Sequence, residues 1–177
     1  MQYKLDSVLL PRERIKQRIA QMAEQINKDY AGKTLMMIGI LKGAVPFFAE
    51  LLSQITLDVH IDFMAVSSYG ASTKSSGVVR ILKDLDQGIE DIDVLVVEDI
   101  VDSGKSMRYL LDSLQGRKPA SIKLCTLLDK PDRRVAEVLA DYVGFVIPDE
   151  FVVGFGLDYA EKYRNLPDIC ILKPDEG

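Results

Sequence analysis

VLVVEDIVDSGKSM, from Val94 to Met107, joins an apolar run to a short polar stretch, and it decides the fold class and the place to look for a site. The run Val94 to Val97 is typical of a strand that is buried on both faces. We expect Glu98 and Asp99 to cap the carboxyl end of this strand and Val101 to Lys105 to form a tight turn. A buried strand followed at once by a turn and charged residues indicates an α/β sheet with a site at the strand end.

A tight turn that leads into a helix at Ser106 is a place where a phosphate group can bind. The first N–H groups of a helix have no partner within the helix, and Ser103, Gly104 and Ser106 add small side chains and hydroxyls. The letters GKS also occur in the Walker phosphate loop, but that motif needs a glycine where this chain has Asp99. Carboxylates beside an anion cradle suit a sugar phosphate. The acids can hold ribose hydroxyls, directly or through Mg²⁺, while the N–H groups hold the 5-phosphate.

Length and composition favour a single compact domain, residues 1–177. The chain has 177 residues, 47 % of them hydrophobic, and no linker or low-complexity segment interrupts it. A formal net charge of −5 gives no general attraction to nucleic acid, and no basic patch stands out in the sequence. A small ligand is therefore the better expectation, with no nucleic-acid partner.

The cysteines and the apolar runs of the sequence indicate the cellular compartment of the protein. Cys125 and Cys170 lie far apart in apolar surroundings, so we expect them to be buried and reduced. The amino-terminal residues are charged and polar, and no apolar run approaches the about 20 residues that span a bilayer. We expect a cytosolic protein that has no membrane partner.

Strands and helices alternate on both sides of the opening stretch. Apolar spacing predicts an amphipathic helix from Arg12 to Asn27. The residues from Asp58 to Leu85 predict a long hairpin with a mobile polar loop at 71–77. The other predicted elements are strands at 34–41, 91–100, 121–130, 142–148 and 168–172, and helices at 44–55 and 105–115. This order predicts an open, largely parallel α/β sheet.

Four blocks of the chain together resemble the hypoxanthine-guanine phosphoribosyltransferase family in its short, bacterial form. VLVVEDIVDSGKSM resembles the phosphoribosyl pyrophosphate motif of type I phosphoribosyltransferases. GILKGAVPFFAELL (39–52) resembles the pyrophosphate-binding loop, and SSYG (67–70) the flexible catalytic loop. LLDKPDRR (127–134) and the segment 143–166 resemble the purine pocket and carboxyl-terminal segment. The resemblance runs from about residue 5 to Leu172, and four blocks in the same order are more specific than any one of them.

The resemblance implies a fold and a reaction. The fold is that of type I phosphoribosyltransferases: an open, mostly parallel sheet flanked by helices, a flexible hairpin loop, and a small carboxyl-terminal hood. The hood is expected mainly from residues 148–177 with some amino-terminal residues, and it would bind the purine. The reaction would be Mg²⁺-dependent purine salvage: hypoxanthine or guanine and phosphoribosyl pyrophosphate would give IMP or GMP and pyrophosphate.

The resemblance also assigns roles to residues. Glu98 and Asp99 would hold the ribose hydroxyls, and Asp102 would face purine N7 as the base. The 5-phosphate would bind Asp102, Ser103, Gly104, Lys105 and Ser106. Pyrophosphate would bind Arg164 and also Lys42 and Gly43. The last two lie in a loop where the family commonly has a non-proline cis peptide bond. Ser68 and Tyr69 would belong to the catalytic loop that excludes water.

The purine pocket would be built from residues of the later blocks. Lys130 would donate to purine O6, which would favour a 6-oxopurine over adenine. Phe151 would stack on the base, and Val152 would offer backbone groups to its edge. Asp158 would lie near the purine edge and a second Mg²⁺, which makes the implied metal ligands Glu98, Asp99 and Asp158. His60, the only histidine, receives no catalytic role.

Alternatives remain open at this point. A xanthine- or adenine-preferring relative is one, since pocket backbone geometry decides xanthine use. A nucleotide-sensing regulator that keeps the ribose-phosphate loop is another, although this chain keeps the whole set of expected site residues. The resemblance implies a homodimer or a homotetramer.

Overall fold

The computed structural model describes residues 2–68 and 79–175, in which nine strands and three helices are formed. The strands are β1 (Tyr3–Leu10), β2 (Thr34–Leu41), β3 (Asp58–Ser68), β4 (Val79–Lys83), β5 (Asp93–Val101), β6 (Ser121–Asp129), β7 (Tyr142–Val146), β8 (Val152–Val153) and β9 (Ile169–Pro174). The helices are α1 (Arg12–Asp29), α2 (Val45–Leu52) and α3 (Lys105–Gln115), and a 3₁₀ turn covers Pro131–Arg133.

The main sheet has six strands in the order β4-β3-β2-β5-β6-β7. β3 and β4 pair antiparallel, and the other neighbours pair parallel. The predicted open, mostly parallel α/β sheet is confirmed, and so is the pairing of the two hairpin strands. The predicted mobile loop at 71–77 lies outside the described residues.

Both faces of the central strands are buried, which explains their continuous apolar sequences. In β2, Leu35 and Met37 pack with α1 and α2, whereas Met36 and Ile38 pack with α3 on the other face. Gly39, within β2, leaves room for the rings of Phe48 and Phe63, because a Cβ at this position would lie only 2.9 Å from ring atoms of both. The helix α1 buries one stripe of apolar side chains, as its spacing predicts: Ile15, Ile19, Met22, Ala23 and Ile26.

The strand order reverses between β2 and β5, which makes the edge between these two strands a topological switch point. From β2 the sheet continues to β3 and β4, whereas β5 continues to β6 and β7 on the other side. Parallel strands present their carboxyl ends at one edge, and ligands of open α/β sheets bind at such a switch point. The residues that follow Leu41 and Val101 are therefore neighbours at the edge where a site is expected.

A second, three-stranded sheet has the order β1-β9-β8 and is antiparallel. No pattern before Arg12 predicts a strand, so β1 is not expected from the sequence. Its sequence YKLDSVLL mixes charged and apolar residues, and its pairing with β9 is irregular at two places. This strand is formed through contacts with the far end of the chain, which a local pattern does not reveal.

Two sequence expectations need correction. β5 extends to Val101, and Glu98 pairs with Thr126 of β6, so Glu98 and Asp99 lie within the strand and do not cap it. The predicted helix at 105–115 is confirmed as α3, and only the expectation that the helix starts at Ser106 is wrong, because it begins one residue earlier, at Lys105. Within the described residues, no helix has the length and apolarity required to cross a membrane.

Candidate active site

The segment that joins β5 to α3 forms a loop with unpaired donors, which we call the anion loop (residues 102–106). Gly104, immediately before α3, has φ +81°, a backbone conformation that favours glycine. No described residue accepts a hydrogen bond from the backbone N–H of Ser103, Gly104 or Ser106. The loop and the end of β5 line a cavity of about 170 Å³. Free N–H groups at a helix start make this cavity suited to an anion.

The opposite side of the anion loop is held by residues that follow the 3₁₀ turn. The carbonyl oxygen of Ser103 accepts hydrogen bonds from the N–H groups of Val135 and Ala136, at 2.9 and 3.1 Å. The carbonyl oxygen of Asp102 accepts one from Arg134 Nε at 3.2 Å. The carbonyl groups of Asp102 and Ser103 are thus paired on one side, while the N–H groups of Ser103, Gly104 and Ser106 remain free.

Two adjacent carboxyl groups of β5 lie beside the anion loop. Burial raises the pKa of Glu98 well above its usual value, and the neighbouring Asp99 carboxyl raises it further. Burial also raises the pKa of Asp99, against the charge of Arg164, which lowers it. Each side chain bonds locally: Glu98 accepts from the N–H of Asp99, and Asp99 accepts from the N–H of Ile100. Two carboxyl groups so placed favour a cation or hydroxyl donors as partners.

Asp102 directs one carboxyl oxygen into a buried position. Its Oδ1 atom is buried and has no hydrogen bond within the described residues. Arg133 Nε lies 3.3 Å from this oxygen, which is close enough for an ion pair but without the alignment of a hydrogen bond. Asp102 therefore keeps acceptor capacity for a ligand.

The turn after β2 contains Lys42 and Gly43 and lies against the other loops; we call residues 41–44 the lysine loop. The Leu41–Lys42 peptide bond is cis, as the family resemblance implies. A Cβ on Gly43 would lie 1.9 Å from Asp99 Oδ2, and a Cβ on Gly156 would lie 2.1 Å from the carbonyl oxygen of Gly43. Only glycines allow the lysine loop to fit between the Asp99 carboxyl and the backbone at Gly156.

One carboxylate joins the lysine loop to the carboxyl-terminal loop. Glu161 accepts hydrogen bonds from Lys42 Nζ through Oε2 and from Arg164 through Oε1, both at 3.0 Å. These two cations lower the pKa of Glu161, first Lys42 and then Arg164. Arg164 also donates to the carbonyl oxygen of Gly156 at 2.8 Å and lies 3.3 Å from Asp158. The two predicted pyrophosphate-binding side chains are brought together around Glu161.

A second cavity, of about 230 Å³, adjoins the first. Four predicted purine-binding residues line it with Asp99, Ile100, Asp102 and Leu157: Lys130, Phe151, Val152 and Asp158. Lys130 is only 6 % exposed, and no ion pair between described residues includes it. Its backbone N–H donates to the carbonyl oxygen of Val101, which fixes it beside the anion loop. A buried lysine that lines a cavity suits a ligand with a hydrogen-bond acceptor.

The aromatic wall of this cavity is partly open. Phe151 is 49 % exposed and meets Tyr159 edge to face, with ring centroids 5.8 Å apart. A half-exposed phenylalanine beside a cavity is available for stacking on a flat ligand. Val152, in β8, ties this wall to the second sheet through its pairing with Ile171 of β9.

Comparison with known proteins decides the family. The model of the phosphoribosyl transferase domain matches residues 7–160. Hypoxanthine-guanine phosphoribosyltransferase of Bacillus subtilis is 49 % identical over 174 residues, which are 98 % of this chain and 97 % of that protein. The chain belongs to the hypoxanthine-guanine phosphoribosyltransferase family.

Solved structures and longer relatives agree with this assignment. A crystal structure of hypoxanthine phosphoribosyltransferase from Staphylococcus aureus has 50 % sequence identity and a TM-score of 0.93, over 96 % of this chain and 92 % of that one. The bifunctional protein TilS/HprT of Listeria monocytogenes is 51 % identical over 97 % of this chain, and the chain spans 26 % of its length. The family and fold that the sequence motifs indicate are confirmed.

As a member of this phosphoribosyltransferase family, the chain gathers most of its predicted site residues in the two adjoining cavities and the loops beside them. Two catalytic candidates differ in this respect: Tyr69 lies outside the described residues, and Ser68 is described only as the last residue of β3, paired with Val79. His60 instead lines a cleft that includes the first residue of β2, Thr34, at the opposite edge of the sheet. The catalytic roles of Ser68 and Tyr69 therefore stay predictions.

Sequence reasoning missed three charged residues at the site. Arg133 and Arg134 were read only as part of the block LLDKPDRR, and Glu161 received no role. Two arginines three and four residues after the strand-end Lys130 are a local signal that residues 131–134 border the site. Glu161 gave no such signal, because its partner Lys42 lies 119 residues away.

Proposed function

We propose that this chain catalyses transfer of the 5-phosphoribosyl group from phosphoribosyl pyrophosphate to N9 of hypoxanthine or guanine. The products are IMP or GMP and pyrophosphate, and the reaction serves purine salvage. The observation that carries this proposal is the junction of the two cavities. Ile100 and Asp102 line both of them, so an anion cradle and a pocket with a buried lysine share a wall.

The anion loop would hold the 5-phosphate. Its free N–H groups at Ser103, Gly104 and Ser106 would donate to phosphate oxygens, and the start of α3 would favour the negative charge. Lys105 contributes its charge to the same loop, while its backbone N–H donates to Ser103 Oγ at 3.4 Å. Glu98 and Asp99 would accept hydrogen bonds from the ribose hydroxyls. These contacts would place C1 of the ribose near the junction of the cavities.

Asp102 would accept the proton of the purine. As N9 attacks C1 of the ribose, the bond from C1 to pyrophosphate breaks and the N9–C1 bond forms. The purine must lose a proton, which Asp102 can accept from N7 in this arrangement. Its buried, unbonded Oδ1 atom supports this role, because an acceptor without an internal partner is free to meet the ligand.

The second cavity would bind the base. Lys130 would donate to O6, Phe151 would stack on the ring, and Val152 would offer backbone groups to its edge. Asp158 would lie near the same edge. Adenine would leave Lys130 facing an amino group, and a buried donor without an acceptor is unfavourable. We therefore propose a preference for 6-oxopurines.

Lys42, Gly43 and Arg164 would hold the leaving pyrophosphate. The ion pairs of Lys42 and Arg164 with Glu161 support this role, because they show two cations converging on one group of acceptor oxygens. Pyrophosphate would take the place of that carboxylate. Charge-assisted hydrogen bonds from both cations would then stabilise the negative charge that collects as the C1–O bond breaks.

We propose Mg²⁺ as the cofactor, with one ion held by Glu98 and Asp99 together with substrate oxygens and a second ion near Asp158. Burial of the first two carboxyl groups fits this, since a cation nearby would favour their charged forms. Within the described residues no three His, Cys, Asp or Glu side chains form a ready metal site. Mg²⁺ commonly takes only one or two carboxylates and completes its shell with phosphates and water. When bound, it would neutralise charge on the pyrophosphate.

Further parts of the proposal concern the surroundings of the site. Ser68 and Tyr69 would help to exclude water, which would otherwise hydrolyse the activated ribose. Residues 148–177 and β1 would form the purine-binding hood, a part of one domain covering residues 1–177.

We also propose a cytoplasmic homodimer or homotetramer, and light scattering of the purified protein would test its assembly.

Steady-state nucleotide formation tests the proposed function. The assay would use hypoxanthine, guanine, xanthine and adenine with phosphoribosyl pyrophosphate and Mg²⁺, for the wild type and Asp102→Asn. We expect turnover of hypoxanthine and guanine, and a large loss of kcat in the variant. Well-folded wild-type protein that converts none of the four bases would contradict the reaction. Undiminished turnover by the variant would contradict the role of Asp102.

A further inference from the structure

Arg134 is held at the back of the anion loop by several hydrogen bonds. Its Nε donates to the carbonyl oxygen of Asp102, one terminal nitrogen donates to the carbonyl oxygen of Val138, and the other pairs with Asp129. The side chains of Arg134 and Asp129 are 17 % and 16 % exposed. All three guanidinium nitrogens are engaged, so this side chain has one fixed position.

Arg134 also sets the space at the tightest point of the loop. A Cβ on Gly104 would lie 2.9 Å from the Cδ atom of Arg134 and 3.3 Å from the carbonyl oxygen of Ala136. The arginine therefore contacts the loop both through a hydrogen bond and through van der Waals packing. It is not among the described residues that line either cavity, so it would not touch a ligand there.

The planarity of the peptide bond links these contacts to the free donors. In a trans peptide the carbonyl oxygen of one residue and the N–H of the next point in opposite directions. Fixing the Asp102 carbonyl on Arg134 turns the N–H of Ser103 to the other side. Fixing the Ser103 carbonyl on Val135 and Ala136 does the same for the N–H of Gly104. These are two of the N–H groups without a partner in the loop.

We propose that Arg134 is a positioning residue, which orients the N–H groups of the anion loop toward the 5-phosphate of the ribosyl substrate. This inference rests on the proposed function, because the ligand of the loop is taken from it. Asp129 acts one step further away by fixing the guanidinium of Arg134. Arg133 differs from its neighbour, since it faces the carboxyl group of Asp102 and is 55 % exposed.

Binding of ribose 5-phosphate tests the inference separately from catalysis. This probe carries the phosphate but lacks pyrophosphate, and titration calorimetry would measure its Kd without turnover. We expect Arg134→Ala to raise this Kd by about tenfold to a hundredfold, since a charge-assisted hydrogen bond that orders the loop is lost. Arg134→Lys should give an intermediate Kd, because lysine can pair with Asp129 but lacks the guanidinium fork.

The matched control is Arg117→Ala. Arg117 also pairs with an aspartate, Asp84, through two hydrogen bonds of 2.8 and 3.0 Å, and it does not line either cavity. We expect this variant to bind ribose 5-phosphate as the wild type does. Thermal unfolding of all variants would show whether each is folded at the temperature of the titration, and Asp129→Asn gives a milder second test if Arg134→Ala does not fold.

Kinetics complete the test. Arg134→Ala should raise KM for phosphoribosyl pyrophosphate far more than KM for hypoxanthine, whereas a general loss of structure would lower the active fraction and leave both KM values unchanged. Equal Kd values for folded Arg134→Ala, Arg117→Ala and wild type would overturn the inference. A wild type that binds ribose 5-phosphate but forms no nucleotide would contradict the transferase reaction, while the binding comparison would still decide the role of Arg134.

Discussion

The anion loop and the lysine loop lie at the same edge of the sheet, but they are held in different ways. The anion loop is fixed through its carbonyl groups at Asp102 and Ser103, which leaves its N–H donors free. The lysine loop has its charge already paired, because Lys42 binds Glu161 at 3.0 Å. One end of the proposed substrate would meet donors that are ready, and the other end would have to displace a carboxylate. Affinity at the two ends should therefore respond to different mutations.

Gly43→Ala should have the largest effect, since it disturbs the lysine loop where it touches the other half of the site. The new methyl would lie 1.9 Å from the Asp99 carboxyl, so the loop or the carboxyl must move. We expect kcat/KM for phosphoribosyl pyrophosphate to fall by about a hundredfold, as small displacements of catalytic groups often cause. Gly88→Ala is the control, because a Cβ at Gly88 meets nothing within 4 Å. Similar kinetics for the two variants would show that the packing at Gly43 does not matter.

Lys42→Met should have the next largest effect, confined to the pyrophosphate end. Loss of the ammonium removes a charge-assisted hydrogen bond, so we expect KM for phosphoribosyl pyrophosphate to rise about tenfold or more. Binding of ribose 5-phosphate should not change, because that ligand has no pyrophosphate and reaches only the anion loop and the adjacent Glu98 and Asp99. Calorimetry with both ligands would check the difference. Equal weakening of both would contradict the separation of the two ends.

Glu161→Gln should act in the opposite direction from Lys42→Met. Without the carboxylate, Lys42 no longer has a competing anion and Arg164 keeps only Asp158, so pyrophosphate should bind more tightly by a factor of about three to ten. Product inhibition by pyrophosphate measures this directly. A Glu161→Asp variant keeps the charge and serves as the control. Weaker pyrophosphate binding in Glu161→Gln would mean that Glu161 assists the site.

The parts of this account that the sequence could predict are those encoded locally. The strand β5, the helix α3 and the acids between them follow from apolar runs, helical spacing and turn residues within one short stretch. The strand β1 and the contacts of Glu161 depend on distant partners, so no local pattern indicates them. The role proposed for Arg134 depends on its hydrogen bonds with Asp102 and Asp129, which only the folded structure reveals. The stretch from Val94 to Met107 thus indicates where the site lies, but it does not indicate Glu161 and Arg134, which contact the loops of the site.

Glu98→Gln should have the smallest effect, on stability near the anion loop. Burial raises the folded-state pKa of Glu98, so its contribution to stability is fully present below its ordinary pKa and is lost as pH rises through the raised value. Glutamine does not titrate. We therefore expect the unliganded variant to be more stable than the wild type near pH 7, and the difference to vanish near pH 4. Denaturant unfolding at both pH values checks this, and a less stable variant at pH 7 would contradict it.

A crystal structure with phosphoribosyl pyrophosphate, Mg²⁺ and a purine analogue that cannot react would test the comparison of the two loops most directly. We expect the 5-phosphate on the N–H groups of Ser103, Gly104 and Ser106, with Arg134 and the carbonyl groups of the anion loop unmoved. We also expect Lys42 to leave Glu161 and bind pyrophosphate. A phosphate bound elsewhere, a rearranged anion loop, or Lys42 still paired with Glu161 beside bound pyrophosphate would contradict these expectations.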